Sequence, residues 1–430
     1  MSNTHFGIAL LGFGTVGRGV YDLLAELKEG DAKNRFSFEV KRILVRDLVC
    51  GSNFKRFKGV PRRLLTTQFR DILRDPNVDV VIEVMGGEHP AKQHIFDALK
   101  AGKDVITANK QLMGHRGEEL VGQALRCKRY LGFLASVTGC HQLCRSIVRS
   151  FFVDGLMGIF NGTSNYILTR MEEGLNEKDA LAEAQAKGYA EANPSNDIDG
   201  IDTRNKLMVV SKLAFGVFLR PGDVPTTGIR NVVKRDMDFA RELGSTIKLI
   251  GMSKRGEDGR IEAQVEPCLI PCRTLLASVR GIHNGIQVRD RLRGNQGMTA
   301  EGAGSRPTAM AILSDLLSLA EKEEVMWPDN PQAKGAAPKS KRLNRLAKHY
   351  ARIEAKNHPG VLAQVTKVFG RHKINIESLI QHKADGPVAP IAVVCGPTSL
   401  RALWRSLREM ESLKPVLPGI VHMRIEEDAI

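Results

Sequence analysis

Cysteine is scarce in this 430-residue chain: seven residues, scattered from Cys50 to Cys395, with no C-x-x-C pair. The odd count and the lack of neighbouring histidine ligands argue against a disulfide framework or a zinc site. They point instead to reduced thiols in a cytoplasmic protein. Aromatic residues make up only 5% of the chain, and no basic run carries interleaved stacking residues. The formal charge of +15 therefore reads as Lys and Arg spread over a surface, not as a nucleic-acid groove. The longest apolar runs are strand-sized, well short of the roughly 20 residues that span a membrane. The opening MSNTHFGIALLGFG has neither the basic stretch nor the cleavage site of a secretory signal. No tandem repeat or long low-complexity tract occurs. What remains is a globular chain long enough for two to four domains with cores of their own.

The first third alternates strand and helix patterns. FGIALL runs into Gly12-Phe13-Gly14-Thr15-Val16-Gly17 and then a helix-like stretch; EVKRILV and VDVVIEV are further strands. A helix pattern, PAKQHIFDALKAG, leads to the strand DVITANK. Such alternation predicts an α/β, doubly wound parallel sheet. From about 135 to 305 the pattern is mixed, with SIVRSFFV, LMGIFNGTSNYIL, IKLIGMSK and RIEAQVEPCLI read as strand-like among Ala- and Glu-rich helices. Residues 302–320 read as a Gly-rich loop feeding a helix. Residues 327–348, with three prolines and a basic run, read as a solvated linker. Beyond it, 350–428 alternates short strands and helices as a compact α+β unit.

The glycine loop fits G-x-G-x-x-G between a strand and a helix. The first glycine permits the tight turn and the second lets backbone approach a pyrophosphate. The third lets strand and helix pack, with the helix N-terminus offering N–H groups to phosphate. Gly12, Phe13, Gly14, Thr15, Val16 and Gly17 are thus candidate dinucleotide contacts. Cofactor preference is set at the end of the second strand, here Val45-Arg46-Asp47. Arg46 suits a 2′-phosphate and favours NADP(H), whereas Asp47 alone would favour NAD(H).

The other informative stretch is GYAEANPSNDIDGIDTRNK at 188–206. It clusters carboxylates and turn residues at the entry of an apolar helix. Asp202 and Lys206 are four apart, so on a helix they share one face.

Several segments together resemble homoserine dehydrogenase: GFGTVG, VIEVMGG, ITANK, GIFNGTSNYIL, the acid-rich stretch and GAGSRPTA, in matching order over nearly the whole chain. The segment NHPGVLAQVTKVFGRHKINIESLIQ resembles an ACT domain, a small-ligand regulatory module. The resemblance implies oxidoreduction between L-homoserine and L-aspartate 4-semialdehyde with NAD(P)(H), within threonine and methionine synthesis, in a homo-oligomer. By motif, Lys206 matches the proton-transferring lysine and Asp202 its partner. Lys110 matches a lysine near nicotinamide and substrate. Glu191 and Asp197 match substrate-contacting carboxylates, beside Asn161, Gly162 and Thr163. Gly302, Ala303, Gly304 and Ser305 match a loop closing over the cofactor. In the ACT-like segment, Asn357, Gly360 and Val361 mark the turn where an amino-acid effector, by family logic threonine, would bind. The implied organisation is a Rossmann domain at 1–135, a catalytic and dimerisation domain at 136–301, and a return segment at 302–326. The linker at 327–348 and the ACT-like domain at 349–430 follow.

The chemistry agrees with this reading. Hydride transfer to an aldehyde builds negative charge on its oxygen, which calls for a cation and a proton donor beside it. A substrate carrying an α-ammonium group also calls for carboxylates. One segment departs from the family pattern. Leu134 stands where the family has glutamate, and Cys140-His141-Gln142 replaces Gly-hydrophobe-Pro. An aliphatic side chain cannot ligate a hard cation. That argues against the family's sodium site, leaving the backbone carbonyls of Val137 and Gly139 as its candidate ligands. The departure also raises an alternative: a catalytically weakened amino-acid sensor that retains the fold.

Overall fold

A computed structural model describes residues 4–30, 35–47, 57–137, 141–148, 152–302, 304–322 and 346–426. Gly139, Ala303 and residues 327–345 of the expected linker lie outside the described residues. The chain divides into two compact units: residues 1–153, 205–221 and 298–338 form one, and 154–204, 222–297 and 339–430 the other.

The first unit is the doubly wound sheet that the alternation implies. Its elements in order are β1 (Thr4–Leu11), α1 (Thr15–Gly30), β2 (Phe36–Leu44), β3 (Leu65–Thr66), α2 (Phe69–Arg74), β4 (Val80–Glu83) and α3 (Ala91–Lys100). Then come β5 (Asp104–Thr107), α4 (Lys110–Cys127), β6 (Leu131–Gly132) and α5 (His141–Val148). The sheet order is β3-β2-β1-β4-β5-β6, and all five pairings are parallel. Chain order reverses between β1 and β4, so their C-terminal ends form the crevice in which such sheets bind ligands. Both faces are covered, and Ile8, Leu10, Val80 and Ile82 are fully buried. Burying each aliphatic side chain contributes about 1.5–3 kcal/mol.

In the second unit the elements are β7 (Val153–Ile159), α6 (Gly162–Glu172), α7 (Glu177–Ala186) and α8 (Ser195–Ile198), then α9 (Ile201–Phe215), whose later turns belong to the first unit. Next come α10 (Lys234–Glu242), β8 (Ser245–Arg255), β9 (Ile261–Pro271), β10 (His283–Asp290) and β11 (Gly294–Glu301). Helix α11 (Ser305–Ala320) returns to the first unit, where the Ser305 hydroxyl donates to the Thr15 carbonyl at 2.8 Å. The ACT-like part comprises β12 (Ala347–Lys356), α12 (Val361–Arg371), β13 (Ile376–Ile380), β14 (Val388–Thr398), α13 (Leu400–Glu411) and β15 (Val421–Ile425). Its strands join β7 to β11 in one sheet of order β11-β10-β7-β8-β9-β15-β12-β14-β13, through the β15–β9 pairing of Arg424 with Cys268. No described helix is long and apolar enough to cross a membrane.

Two strand expectations are corrected. SIVRSFFV is helical through Val148, and the strand begins only at Val153. LMGIFNGTSNYIL divides at Asn161: the first part is β7, and GTSNYIL opens α6. The Asn161 carbonyl oxygen of the side chain accepts the Ser164 N–H at 2.7 Å, the capping bond that starts a helix here.

Candidate active site

In the first unit the glycine loop does what its sequence requires. Gly12 has φ +100°, and a Cβ there would lie 3.0 Å from the Val84 carbonyl oxygen. A Cβ on Gly17 would lie 2.3 Å from the Gly12 carbonyl oxygen. Neither position accepts a side chain without moving backbone. Gly12, Phe13 and Gly14 line a cavity of about 600 Å³ with Val45, Arg46, Asp47, Phe57 and Met85. Phe57 stacks on Phe13 with ring centroids 5.6 Å apart. The donor set fits a dinucleotide: backbone N–H groups at a helix start, an apolar wall, and Arg46 with Asp47 at the end of β2. Thr15, Val16 and Gly17 begin α1, and Gly304 caps α11 beside it at φ +127°.

A buried carboxylate shapes the opposite lip of this crevice, and sequence reasoning missed it. Glu83 ends β4 at 0% exposure. Its Oε1 accepts the Met85 N–H at 2.8 Å and the Gly86 N–H at 3.3 Å, and its Oε2 accepts the Thr107 hydroxyl at 2.6 Å. Burial pushes the Glu83 carboxyl above the usual carboxylate range, against the pull of those donors. Asn109 completes the network: its N–H donates to Thr107 Oγ1 at 3.0 Å and its amide to the Gly87 carbonyl at 2.6 Å. The same side chain caps α4 at Leu112. The only signal was an acid within the apolar run VVIEV.

Lys110 is therefore the first residue of α4 and half-buried, not a lysine trailing a strand. Within the first unit, α4 and α9 approach closely where a Cβ on Gly114 would lie 3.4 Å from the Asn205 carbonyl oxygen. Lys206 follows Asn205 on α9 and is only 6% exposed. The i,i+4 spacing of Asp202 and Lys206 is realised on the continuous helix α9, placing both on one face.

In the second unit Asn161 gathers the carboxylates. Its Nδ2 donates to Asp197 Oδ1 at 2.7 Å and to Asp202 Oδ2 at 2.9 Å, and Asp202 is buried. The Thr163 hydroxyl donates to the Tyr189 carbonyl at 2.7 Å, tying α6 to the acid-rich segment. A Cβ on Gly162 would lie 2.4 Å from the Ile282 carbonyl oxygen, so glycine here is demanded by packing. Glu191 is exposed, and its backbone carbonyl accepts the Gln185 side-chain amide at 3.1 Å. Asn165, one turn along α6, donates to the carbonyls of Val279, Gly281 and His283. Lys248, fully buried, adds a bond to Val279 at 2.7 Å, and its ammonium is pushed down to about 8 by burial. These two hold the 279–283 loop against Gly162.

Of the segment in which the family's cation site would fall, residues 138–140 lie outside the described residues. Leu134 and Val137 are buried, and no described group of three His, Cys, Asp or Glu side chains is placed to hold a metal ion. In the ACT-like part, Gly360 sits at φ +86° before α12, and Val361 is buried. The Asn357 amide donates to the carbonyls of Ala384 and Gly386 at 3.0 and 3.2 Å, so it braces the loop between β13 and β14.

Comparison with known proteins agrees with this architecture. A family profile described as homoserine dehydrogenase matches residues 141–317, and the NAD binding domain of homoserine dehydrogenase matches 12–132. An ACT domain profile matches 349–405. The chain is 33% identical to the homoserine dehydrogenase of Bacillus subtilis over 423 residues, covering 95% of each chain. It is 34% identical to that of Pseudomonas aeruginosa, covering 98% of each. The crystal structure of a homoserine dehydrogenase from Thiobacillus denitrificans superposes with a TM-score of 0.88 at 32% identity, covering 99% of both chains. The chain belongs to the homoserine dehydrogenase family of NAD(P)-dependent oxidoreductases and carries an ACT domain.

Proposed function

We propose that the chain interconverts L-aspartate 4-semialdehyde and L-homoserine, the step that leads toward threonine and methionine, in the cytoplasm and as a homo-oligomer. One observation carries this reading: a buried lysine, Lys206, one turn after a buried aspartate that shares an amide donor with Asp197. The bound nicotinamide dinucleotide supplies hydride chemistry. Lys206 holds the proton that the carbonyl oxygen takes up as it becomes a hydroxyl, and the Asp202 carboxylate keeps that ammonium oriented. Lys110 adds a second cation for the developing negative charge. Asp197 and Glu191 receive the substrate's α-ammonium group, and Asn161, Gly162 and Thr163 shape the pocket floor. Asn161 holds Asp197 and Asp202 at fixed spacing, which orients the substrate before reaction.

Arg46, exposed at the rim of the dinucleotide cavity, favours NADP(H) over NAD(H) by pairing with a 2′-phosphate. Gly12 to Gly17, Gly304 and Lys110 complete the cofactor contacts. Threonine is the effector expected at the ACT domain, near Asn357, Gly360 and Val361. Oxidation of NADPH on addition of L-aspartate 4-semialdehyde tests the reaction, with and without threonine. The expected outcome is rapid oxidation that requires the semialdehyde; none with either NADPH or NADH would reject the reading. In Arg46→Ala the preference for NADPH over NADH in kcat/KM falls about ten-fold, the worth of one charged hydrogen bond. An unchanged ratio removes Arg46 from this role.

A further inference from the structure

The carboxylate that ends β4 has no part in the function proposed above, and packing does not require it. Its strand neighbours Val80, Val81 and Ile82 are apolar and fully buried, so an apolar side chain would serve the core at position 83. A buried carboxylate is tolerated only where donors surround it. Around Glu83 they come from two directions: the Met85 and Gly86 N–H groups on Oε1, and the Thr107 hydroxyl on Oε2. We infer that Glu83 is a positioning residue for the nicotinamide half of the dinucleotide, turning the loop after β4 and, through Thr107, fixing the start of α4. This role rests on the dinucleotide reading above and not on the identity of the substrate.

The peptide planes of the loop carry the first part. In a trans peptide the N–H and C=O groups point to opposite sides. With the Met85 and Gly86 N–H groups drawn onto Glu83, the Val84 and Met85 carbonyls face away from it. Accordingly, the Val84 carbonyl oxygen lies 3.0 Å from where a Cβ on Gly12 would stand, across the crevice. Gly86 and Gly87 follow at φ +76° and +70°, a left-handed pair that glycine adopts without strain. The loop therefore offers carbonyl oxygens to a ligand, and Val84 and Met85 line the dinucleotide cavity. Carbonyls repel phosphate but accept hydroxyl and carboxamide protons, which suits the nicotinamide ribose and the amide on its ring. Phosphate is left to the N–H groups at the start of α1.

Position in the sheet carries the second part. A doubly wound sheet takes the two halves of a dinucleotide on the two sides of its switch point. Arg46 ends the β2 side, whereas Glu83 and Thr107 are partners on the last rung of β4 and β5, on the other side. From Thr107 the ordering passes into α4. Thr107 Oγ1 accepts the Asn109 N–H at 3.0 Å, and the Asn109 amide donates to the Gly87 carbonyl at 2.6 Å while its oxygen accepts the Leu112 N–H at 3.0 Å. The far end of the loop is tied to the same helix, where Glu88 Oε1 lies 2.7 Å from His115 Nδ1. Loop and helix start thus form one braced lip, and Lys110 is the first residue of that helix.

Calorimetric titration of the full chain with NADPH and with its adenosine half, 2′,5′-ADP, reads the two sides of the crevice separately. NADH and 5′-ADP form a second pair. Glu83→Gln keeps the size of the side chain but sets an amide NH2 against either the Thr107 hydroxyl or the loop N–H groups, and Thr107→Val removes the hydroxyl. Each is expected to weaken the dinucleotide about ten-fold, roughly 1.4 kcal/mol, while the half-molecule binds as to the wild type. The double variant is expected to lose no more than the weaker-binding single one, because both cut the same relay. Thr107→Ser, which keeps the hydroxyl, is expected to bind as the wild type does. Undiminished dinucleotide binding in both single variants overturns the inference, as does a Thr107→Ser no better than Thr107→Val. So does a parallel loss of the half-molecule, which would make Glu83 a support of the fold alone. A wild-type chain that binds neither dinucleotide would reject the dinucleotide reading itself, and this role with it.

Discussion

The dinucleotide crevice and the acid-rich region are built by opposite means. The crevice is shaped by backbone: Gly17 admits a carbonyl oxygen at a distance no Cβ tolerates, Gly12 takes a left-handed φ of +100°, and the buried Glu83 carboxylate gathers the N–H groups of the facing loop. In the acid-rich region one neutral amide, Asn161, holds two carboxylates. Backbone recognition suits a phosphate, which every N–H can serve without regard to sequence. A substrate with an ammonium group and a reacting carbonyl requires charged groups at set positions. Losing a glycine should therefore damage cofactor binding alone, and losing a polar side chain of the acid-rich region should damage substrate turnover alone.

The largest expected effect separates these two most sharply. Lys206→Ala should lower kcat about 10²- to 10⁴-fold, the range for a positioned proton donor, with NADPH affinity preserved by fluorescence titration. Loss of NADPH affinity in parallel would merge the regions that the comparison keeps apart. Asn161→Ala removes a donor from Asp197 and Asp202 at once, and with it the α6 cap. The cost of about 1–3 kcal/mol lowers kcat/KM roughly 5- to 150-fold. Gly12→Ala is its mirror image, weakening NADPH binding by a similar factor through backbone strain of about 1–3 kcal/mol. Steady-state kinetics paired with cofactor titration checks both, and an effect on the wrong ligand refutes the division.

A smaller effect sharpens the picture of the first unit. Asp315 on α11 is fully buried, and burial pushes its carboxyl up to about 8 although the Ala135 and Leu134 N–H groups pull against it. A carboxyl raised in the folded state holds its proton more tightly there than in the unfolded chain, where it titrates near about 3.9. Its contribution to stability is complete below that value and is lost as pH rises towards 8. Asp315→Asn should flatten the fall in melting temperature over that window. An unchanged slope would assign the pH dependence elsewhere.

How much of this was legible in sequence follows from the range of the interactions. The glycine loop and the Asp202–Lys206 pair are local patterns, and each lies on the element expected for it. SIVRSFFV misled because its β-branched and aromatic residues carry strand propensity, which helix α5 overrides. The run through NGTSNYIL hid a boundary because a single capping asparagine, not a change of hydrophobicity, divides strand from helix. Strand β11, GNQGMTAE, has no apolar alternation to announce it. Glu83 was invisible for another reason: its partner Thr107 lies 24 residues away, and only the parallel pairing of β4 with β5 joins them.

A crystal structure of the full chain with NADP and L-homoserine addresses the proton-transfer claim most directly. The account predicts Lys206 Nζ within about 2.6–3.2 Å of the substrate hydroxyl oxygen, with the α-ammonium group against Asp197 or Glu191. A substrate hydroxyl held by other side chains, with Lys206 turned away from it, would contradict the account.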